Sequence, residues 1–385
     1  MMHEFEQNEL PFLSLDELLN DQTIPFADEE THEIVDAILP DSPILTEPVR
    51  KFIENPPFIQ ETLDTIDAVD EYAWNRGVMG LDSGFESINK AFNGLNTGVV
   101  IVGGPSNSGK SAILLQIMKQ VAEKNQFITE EHPKMAFCLY FSLDDSNNEL
   151  MPRIVAIDQD IPINYVLFPK KYATVPAVLE KRKQGLQNLK DNARFFAMKD
   201  SNFGNSVEYI EQTMAYYQEQ LEMTAPGQFR LVVFIDNFYD ITVDAQGYSE
   251  ENARYDHVAT VLDDLAIRFD CPIWCSGEFR KINVTKRPQL DDLKSSGKIT
   301  YRAKAIILVY NEVGVKKDNA NIYWEMTDSA NPDFTIKMPV FEMDFAKNKY
   351  SSYKGRQYMR FVPDKASFYE VSEEETRIYH QMMKG

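Results

Sequence analysis

Apolar residues in this chain come in short unbroken runs: VVIV at 99–102, MAFCLYFS at 135–142, RLVVFID at 230–236, PIWCS at 272–276 and KAIILVY at 304–310. Runs of about four to eight residues with no polar alternation have the length and character of strands buried on both faces. Between them the spacing becomes that of an amphipathic helix, as in Val258, Val261, Leu262 and Leu265 at i, i+3, i+4 and i+7. Strands alternating with helices predict an α/β fold, a mostly parallel sheet covered on both sides. Toward the C-terminus IKMPVFEMDF, QYMRFV and SFYEV alternate apolar with polar positions. That pattern predicts an antiparallel C-terminal extension at the sheet edge.

The first 76 residues read differently. Residues 1–71 hold nineteen Asp or Glu against Arg50 and Lys51, so −17 of the net −21 lies there. Prolines at 11, 25, 40, 43, 48, 56 and 57 punctuate the apolar clusters between acidic stretches. This predicts an acidic, largely extended arm over 1–76 and a folded unit over 77–385. The chain opens MMHEFEQNEL, acidic where a secretory or mitochondrial leader is basic, and contains no run of about 18 apolar residues. A cytoplasmic location with no membrane partner is therefore expected. Cys138, Cys271 and Cys275 each sit in an apolar run and read as reduced structural thiols.

The strongest chemical signal follows the first apolar run. VVIV leads into GGPSNSGKS and then AILLQIM, in the order strand, glycine loop, helix. Gly104, Gly109, Lys110 and Ser111 satisfy GxxxxGK[ST] in the context that motif requires. The loop of Gly104, Pro105, Ser106, Asn107, Ser108, Gly109, Lys110, Ser111 and Ala112 is expected to turn backbone N–H groups toward phosphates, aided by the positive end of the helix. Lys110 is expected on the β- and γ-phosphates and Ser111 on Mg2+, so the cofactors expected are ATP and Mg2+. Asp236 closes the run RLVVFID at a strand's carboxyl end, where ligands bind in parallel sheets, and is the second candidate for magnesium.

Several blocks in order resemble the ATPase domain of DnaB-type replicative helicases, within the RecA-like P-loop class. GFESINKAFNGLNTG resembles the stretch before the phosphate loop, and SLDDSNNELMPRIVA resembles the SLEM block with its following LMxR. FRKINVTKRPQLDDLKSSGKI resembles the DNA-facing segment in which RP is followed by DLRESGSI, and AKNKYSSYKG resembles the AKxRxGxxG finger segment. The likeness runs from Gly77 to Val371, about three quarters of the chain. It implies an ATP-driven hexameric ring translocating on single-stranded DNA in replication, and the compact, divergent motifs suit a phage-encoded member. Asp144 takes the position of the water-activating glutamate, and Lys347 and Lys349 that of the basic pair inserted by a neighbouring subunit.

Three positions depart from the family pattern: Asp144 is one methylene shorter than glutamate, Lys349 stands for arginine, and Gly277 stands for the glutamine that senses the γ-phosphate. Those departures keep a second reading open, a RecA-like ATPase without unwinding, such as a helicase partner, recombination mediator or regulatory ring. Nucleic-acid binding falls to one segment. Arg280, Lys281, Lys286, Arg287, Lys294 and Lys298 face only Asp291 and Asp292, a local +4 that six copies around a ring would turn into a positively lined channel. The acidic arm stands where the family carries a helical collar. Within it Gln7, Leu10 and Phe12, spaced QxxLxF, resemble a sliding-clamp peptide, so a replisome protein is its expected partner.

Overall fold

The computed structural model describes residues 80–385 except 129–133, 246, 249, 280–285, 294–296, 328–334 and 385, together with Leu63, residues 66–68 and Asp70. The chain divides into two units, Met1–Ala68 and Val69–Gly385. The architecture below is that of the second. Gln7, Leu10 and Phe12 lie outside the described residues.

The elements in chain order are α1 (Glu86–Phe92), β1 (Gly98–Gly104), α2 (Lys110–Lys124), β2 (Met135–Ser142), α3 (Asn147–Gln159), α4 (Ile163–Leu167), α5 (Pro176–Asp191) and β3 (Phe196–Asp200). They continue with α6 (Val207–Thr224), β4 (Phe229–Asp236), α7 (Glu251–Arg268), β5 (Pro272–Glu278), α8 (Gly297–Arg302), β6 (Ala305–Asn311) and α9 (Glu312–Lys316). Last come β7 (Tyr323–Thr327), β8 (Thr335–Asn348), β9 (Arg356–Val362), β10 (Ser367–Glu370) and α10 (Glu373–Lys384). One sheet runs β10-β9-β8-β6-β1-β5-β4-β2-β3, with β7 paired to β8. Pairings from β3 through β6 are parallel, and those among β6, β8, β9 and β10 are antiparallel. The mostly parallel sheet with an antiparallel C-terminal extension is the fold expected from the apolar runs.

Alternation along each parallel strand divides the core in two. Val100, Val102, Cys138, Tyr140, Phe234 and Trp274 pack with α1, α2 and α3 on one face. Val99, Ile101, Leu139, Val233, Ile273 and Cys275 pack with α6 and α7 on the other. Both faces are covered, which is why these strands tolerate no polar alternation. Phe92 meets Trp274 edge-on at 5.9 Å between ring centroids, and truncating such a buried aromatic to alanine costs about 3–5 kcal/mol.

Helix starts are locally encoded. Ser146 and Glu149 form a reciprocal capping box on α3, and Ser206 Oγ accepts from the Tyr209 N–H to begin α6. All three cysteines are buried and free, and burial pushes their thiols up, that of Cys271 to about 12. They remain protonated, as expected of structural thiols. Strands β3 and β7 lacked a clear sequence signal: both are short, and their side chains are mostly half-exposed. Among the described residues no helix is long and apolar enough to cross a membrane.

A candidate nucleotide-binding site and its surroundings

The parallel strands deliver their carboxyl ends to one edge of the sheet. Gly104 pairs with Glu278, and Ser142 pairs with both Asp236 and Asp200. The loop from Gly104 to Ala112 leaves this edge and enters α2 at Lys110. Gly109 caps the helix at φ +103, a left-handed conformation that side chains rarely adopt, and this is the physical need behind the second glycine of the motif. Ser106 and Asn107 are exposed, whereas Lys110 is only 8% exposed.

Lys110 Nζ turns back into the loop, donating to the carbonyl oxygens of Gly104 at 3.1 Å and Pro105 at 2.8 Å. Burial lowers its pKa, opposed by the charges of Glu278, Asp236 and Asp144, in that order. Asp236 is buried, and burial raises its carboxyl, opposed by hydrogen bonds from Ser276 and Ser111 and by the charge of Lys110. The Ser276 hydroxyl bonds Asp236 Oδ1, and Tyr140 OH donates to Oδ2 at 3.3 Å. Lys110, Ser111 and Asp236 are thus brought together from β1–α2 and β4. Asp144 is exposed, two residues past the end of β2, and the preceding Leu143 N–H bonds the Asp236 carbonyl. A groove of about 710 Å³ opens beside the loop, lined by Asn107, Asn311, Lys317, Lys337, Phe361 and Pro363 among others.

The other basic pair lies at the opposite edge. Lys347 Nζ donates to the carbonyls of Thr300 and Tyr301 at the end of α8, and Lys349 Nζ lies 5.5 Å from the Tyr301 ring centre. Backbone bonds from Lys349 to Lys304 and from Lys304 to Val99 put the pair beside the start of β1. From there to Gly104 the strand runs about 16 Å, so the two lysines are far from the phosphate loop of their own subunit. Burial, then the Lys349 charge, lowers Lys347 to about 8.

Of the six basic residues from 280 to 298, three are described. Lys286 is exposed, and Lys298 is exposed with a 3.5 Å pair to Asp256. Arg287 departs from the expectation of a DNA-facing side chain. Its Nε and Nη2 reach the two carboxylate oxygens of Glu342 at 2.8 and 2.9 Å, and Nη2 lies 3.5 Å from Glu312. Glu312 and Glu342 are each 1% exposed, so they require a cation, and Arg287 and Arg356 supply it to Glu342. Arg280, Lys281 and Lys294 lie outside the described residues. The sequence reading missed Glu278, which ends β5 beside the loop; its signal was a charged residue at a buried strand's carboxyl end.

A P-loop at a parallel-sheet edge, with a serine–aspartate pair beside it and an antiparallel extension, defines a RecA-like nucleotide-binding domain. The family model for the DnaB-like helicase C-terminal domain matches residues 80–368, and the chain belongs to that family. The curated Replicative DNA helicase DnaB of Leifsonia xyli subsp. xyli is 20% identical over 272 residues, 68% of this chain and 54% of that protein. The chain therefore spans about half the length of the curated relative it matches. Among solved structures, the ATPase domain of G40P superposes with a TM-score of 0.68 at 18% identity, covering 83% of this chain and all of that one. A DnaB-like replicative helicase, solved in a study of its interactions with primase, superposes with 0.64 at 19% identity over 89% of this chain and 74% of that one. At these identities the superpositions speak for the fold.

Proposed function

We propose that this chain is an ATP-hydrolysing ring helicase, a hexamer translocating on single-stranded DNA in replication, with residues 77–385 as the motor and 1–76 as an acidic docking arm for a replisome protein. The observation that carries the reading is the separation of two half-sites. One edge of the sheet holds Lys110, Ser111 and Asp236, and the opposite edge holds Lys347 and Lys349. Neither can serve the other within a subunit, but a head-to-tail neighbour can join them, and head-to-tail contacts that close make rings.

The residues present fit a magnesium nucleotide. Ser108 Oγ is buried without a partner in the loop, and the Ser111 hydroxyl acts to lower the buried Asp236 carboxyl. No group of three or more His, Cys, Asp or Glu among the described residues is placed to hold a metal, so magnesium would rest on Ser111, Asp236, phosphates and water. When bound, the ion neutralises phosphate charge. Lys110 exchanges the Gly104 and Pro105 carbonyls for the β- and γ-phosphates, and the groove beside Asn107 takes the nucleoside. Asp144, free at the strand end, orients the attacking water, and the neighbour's Lys347 and Lys349 offset the charge that develops in transfer. Phosphates of the strand fall to Lys286 and Lys298, and to Arg280, Lys281 and Lys294; Arg287 instead serves the fold.

One observation favours the alternative of a RecA-like ATPase without unwinding: at 277 a glycine lies where a polar sensor is needed. The test is strand separation on a forked duplex, with light scattering of the full chain in Mg-ATP. A ring that unwinds, and loses both hydrolysis and unwinding in Lys110→Ala, supports the motor. Hydrolysis without strand separation transfers support to the alternative.

A further inference from the structure

Tyr301 is a large aromatic that the packing of its own helix does not use. Helix α8 is held to the body by buried Ile299 and, just beyond its end, buried Ala303, both in the core beneath α7, and by Arg302, which pairs with Asp263 at 3.3 Å. Residues four apart share a helix face, and one midway between them lies across from it. Tyr301 therefore points outward, and it is 74% exposed. What it meets there is the basic pair. Its ring centre lies 5.5 Å from Lys349 Nζ, within the roughly 6 Å over which an aromatic face attracts a cation. Its carbonyl accepts from Lys347 Nζ at 2.8 Å and from Lys349 Nζ at 3.4 Å.

The backbone beneath the two lysines is fixed. Ile307 pairs with Phe345 and Ile306 with Lys347, so Ala346 is the extra residue of a β-bulge in β8. A bulge re-aims the side chains beside it, and here it puts Lys347 on the face of Ile306, toward α7, instead of the face of Phe345. Beyond it Asn348 Oδ1 accepts from the N–H groups of Tyr350 and Ser351, and the Lys349 N–H donates to the Lys304 carbonyl. What stays free is the long stem of Lys349, which has no planar fork to orient it as arginine has. We propose that Tyr301 is a positioning residue for hydrolysis: its exposed ring holds the Lys349 ammonium at the surface, aimed at the phosphates bound by a neighbouring copy. This rests on the proposed reading of the two sheet edges as halves of a shared ATPase site. A ring that restrains the stem before the reaction removes ordering that the transition state would otherwise require, so it acts on turnover more than on nucleotide binding.

The test measures single-turnover ATP hydrolysis by the full chain, and its affinity for a non-hydrolysable ATP analogue, with light scattering to follow assembly. Tyr301→Ala should slow hydrolysis by about fivefold or more while analogue affinity stays within about twofold of wild type. Tyr301→Leu, which keeps apolar bulk but not the aromatic face, should lose as much, and Tyr301→Phe, which keeps the face, should stay within about twofold. In the Lys349→Ala background Tyr301→Ala should slow hydrolysis no further, because a residue that acts through another has no effect once that other is gone. A role in holding α8 together would cost the same in both backgrounds. Equal losses in the two backgrounds, or wild-type turnover in Tyr301→Leu, overturn the positioning role. A Lys349→Ala protein that hydrolyses at the wild-type rate overturns the shared-site reading itself.

Discussion

The two edges of the central sheet are charged in opposite senses. At the carboxyl edge a single lysine, Lys110, is buried under the influence of Glu278, Asp236 and Asp144. At the amino edge Lys347 and Lys349 lie side by side, and Lys349 makes the charge on Lys347 harder to keep. A cation among acids needs no further cation from its own chain, and two crowded cations gain from an anion brought by another. In the proposed ring this contrast makes the contact between copies the functional unit. The sheet keeps its two edges apart within one subunit, and a head-to-tail neighbour would join them.

The strongest way to break this comparison is to disable each edge separately. Lys110→Ala and Lys349→Ala should each slow hydrolysis by about 10³-fold or more, with nucleotide affinity nearly retained in Lys349→Ala. Mixing the two inactive proteins should restore part of the activity, because some contacts then join an intact loop to an intact Lys349. No recovery in a mixed ATPase assay would sink the shared site.

Next in size is a stability effect near the carboxyl edge. Arg287→Ala leaves Glu342 with Arg356 alone and weakens the support of Glu312, both buried. Losing one partner of such a buried network costs about 3–5 kcal/mol, to be read as a lower urea midpoint at unchanged slope. Lys298→Ala, by contrast, removes an exposed pair worth about 0–1 kcal/mol. Its effect should appear in oligonucleotide binding, as a salt dependence shallower by about one phosphate contact.

A subtler test uses pH. Lys347 sits at about 8, below the usual lysine value, so it loses its charge as pH rises through 8. Hydrolysis that needs this cation should decline over that range, and Lys347→Arg should flatten the decline. Stability should move the other way. Between about 8 and 10.4 the unfolded chain binds the proton that the folded chain has released, so this residue's contribution to stability rises with pH.

Much of the fold was legible because its signals are local. VVIV, the glycine loop and AILLQIM are contiguous, and a P-loop is a contiguous piece of backbone. Strand β2 occupies residues 135–142, the span of its apolar run, because a strand covered on both faces excludes polar residues. Strand β3 escaped because an edge strand has one neighbour and half-exposed side chains, which relaxes the pattern. The ion pairs of Arg287 were hidden for a related reason. Its neighbours in sequence are basic, while the acids it serves lie on β8 and α9.

By itself the sequence determined what depends on near neighbours: the period of the strands covered on both faces and of the helices between them, the phosphate loop, and the concentration of negative charge in residues 1–71. Only the tertiary structure decided which charges meet. It set Glu278 beside Gly104, Arg287 between two buried glutamates, and Lys347 and Lys349 at the edge away from Lys110. The reason is range: backbone geometry carries over a few residues, whereas a charge selects its partner by burial and distance after the sheet has assembled.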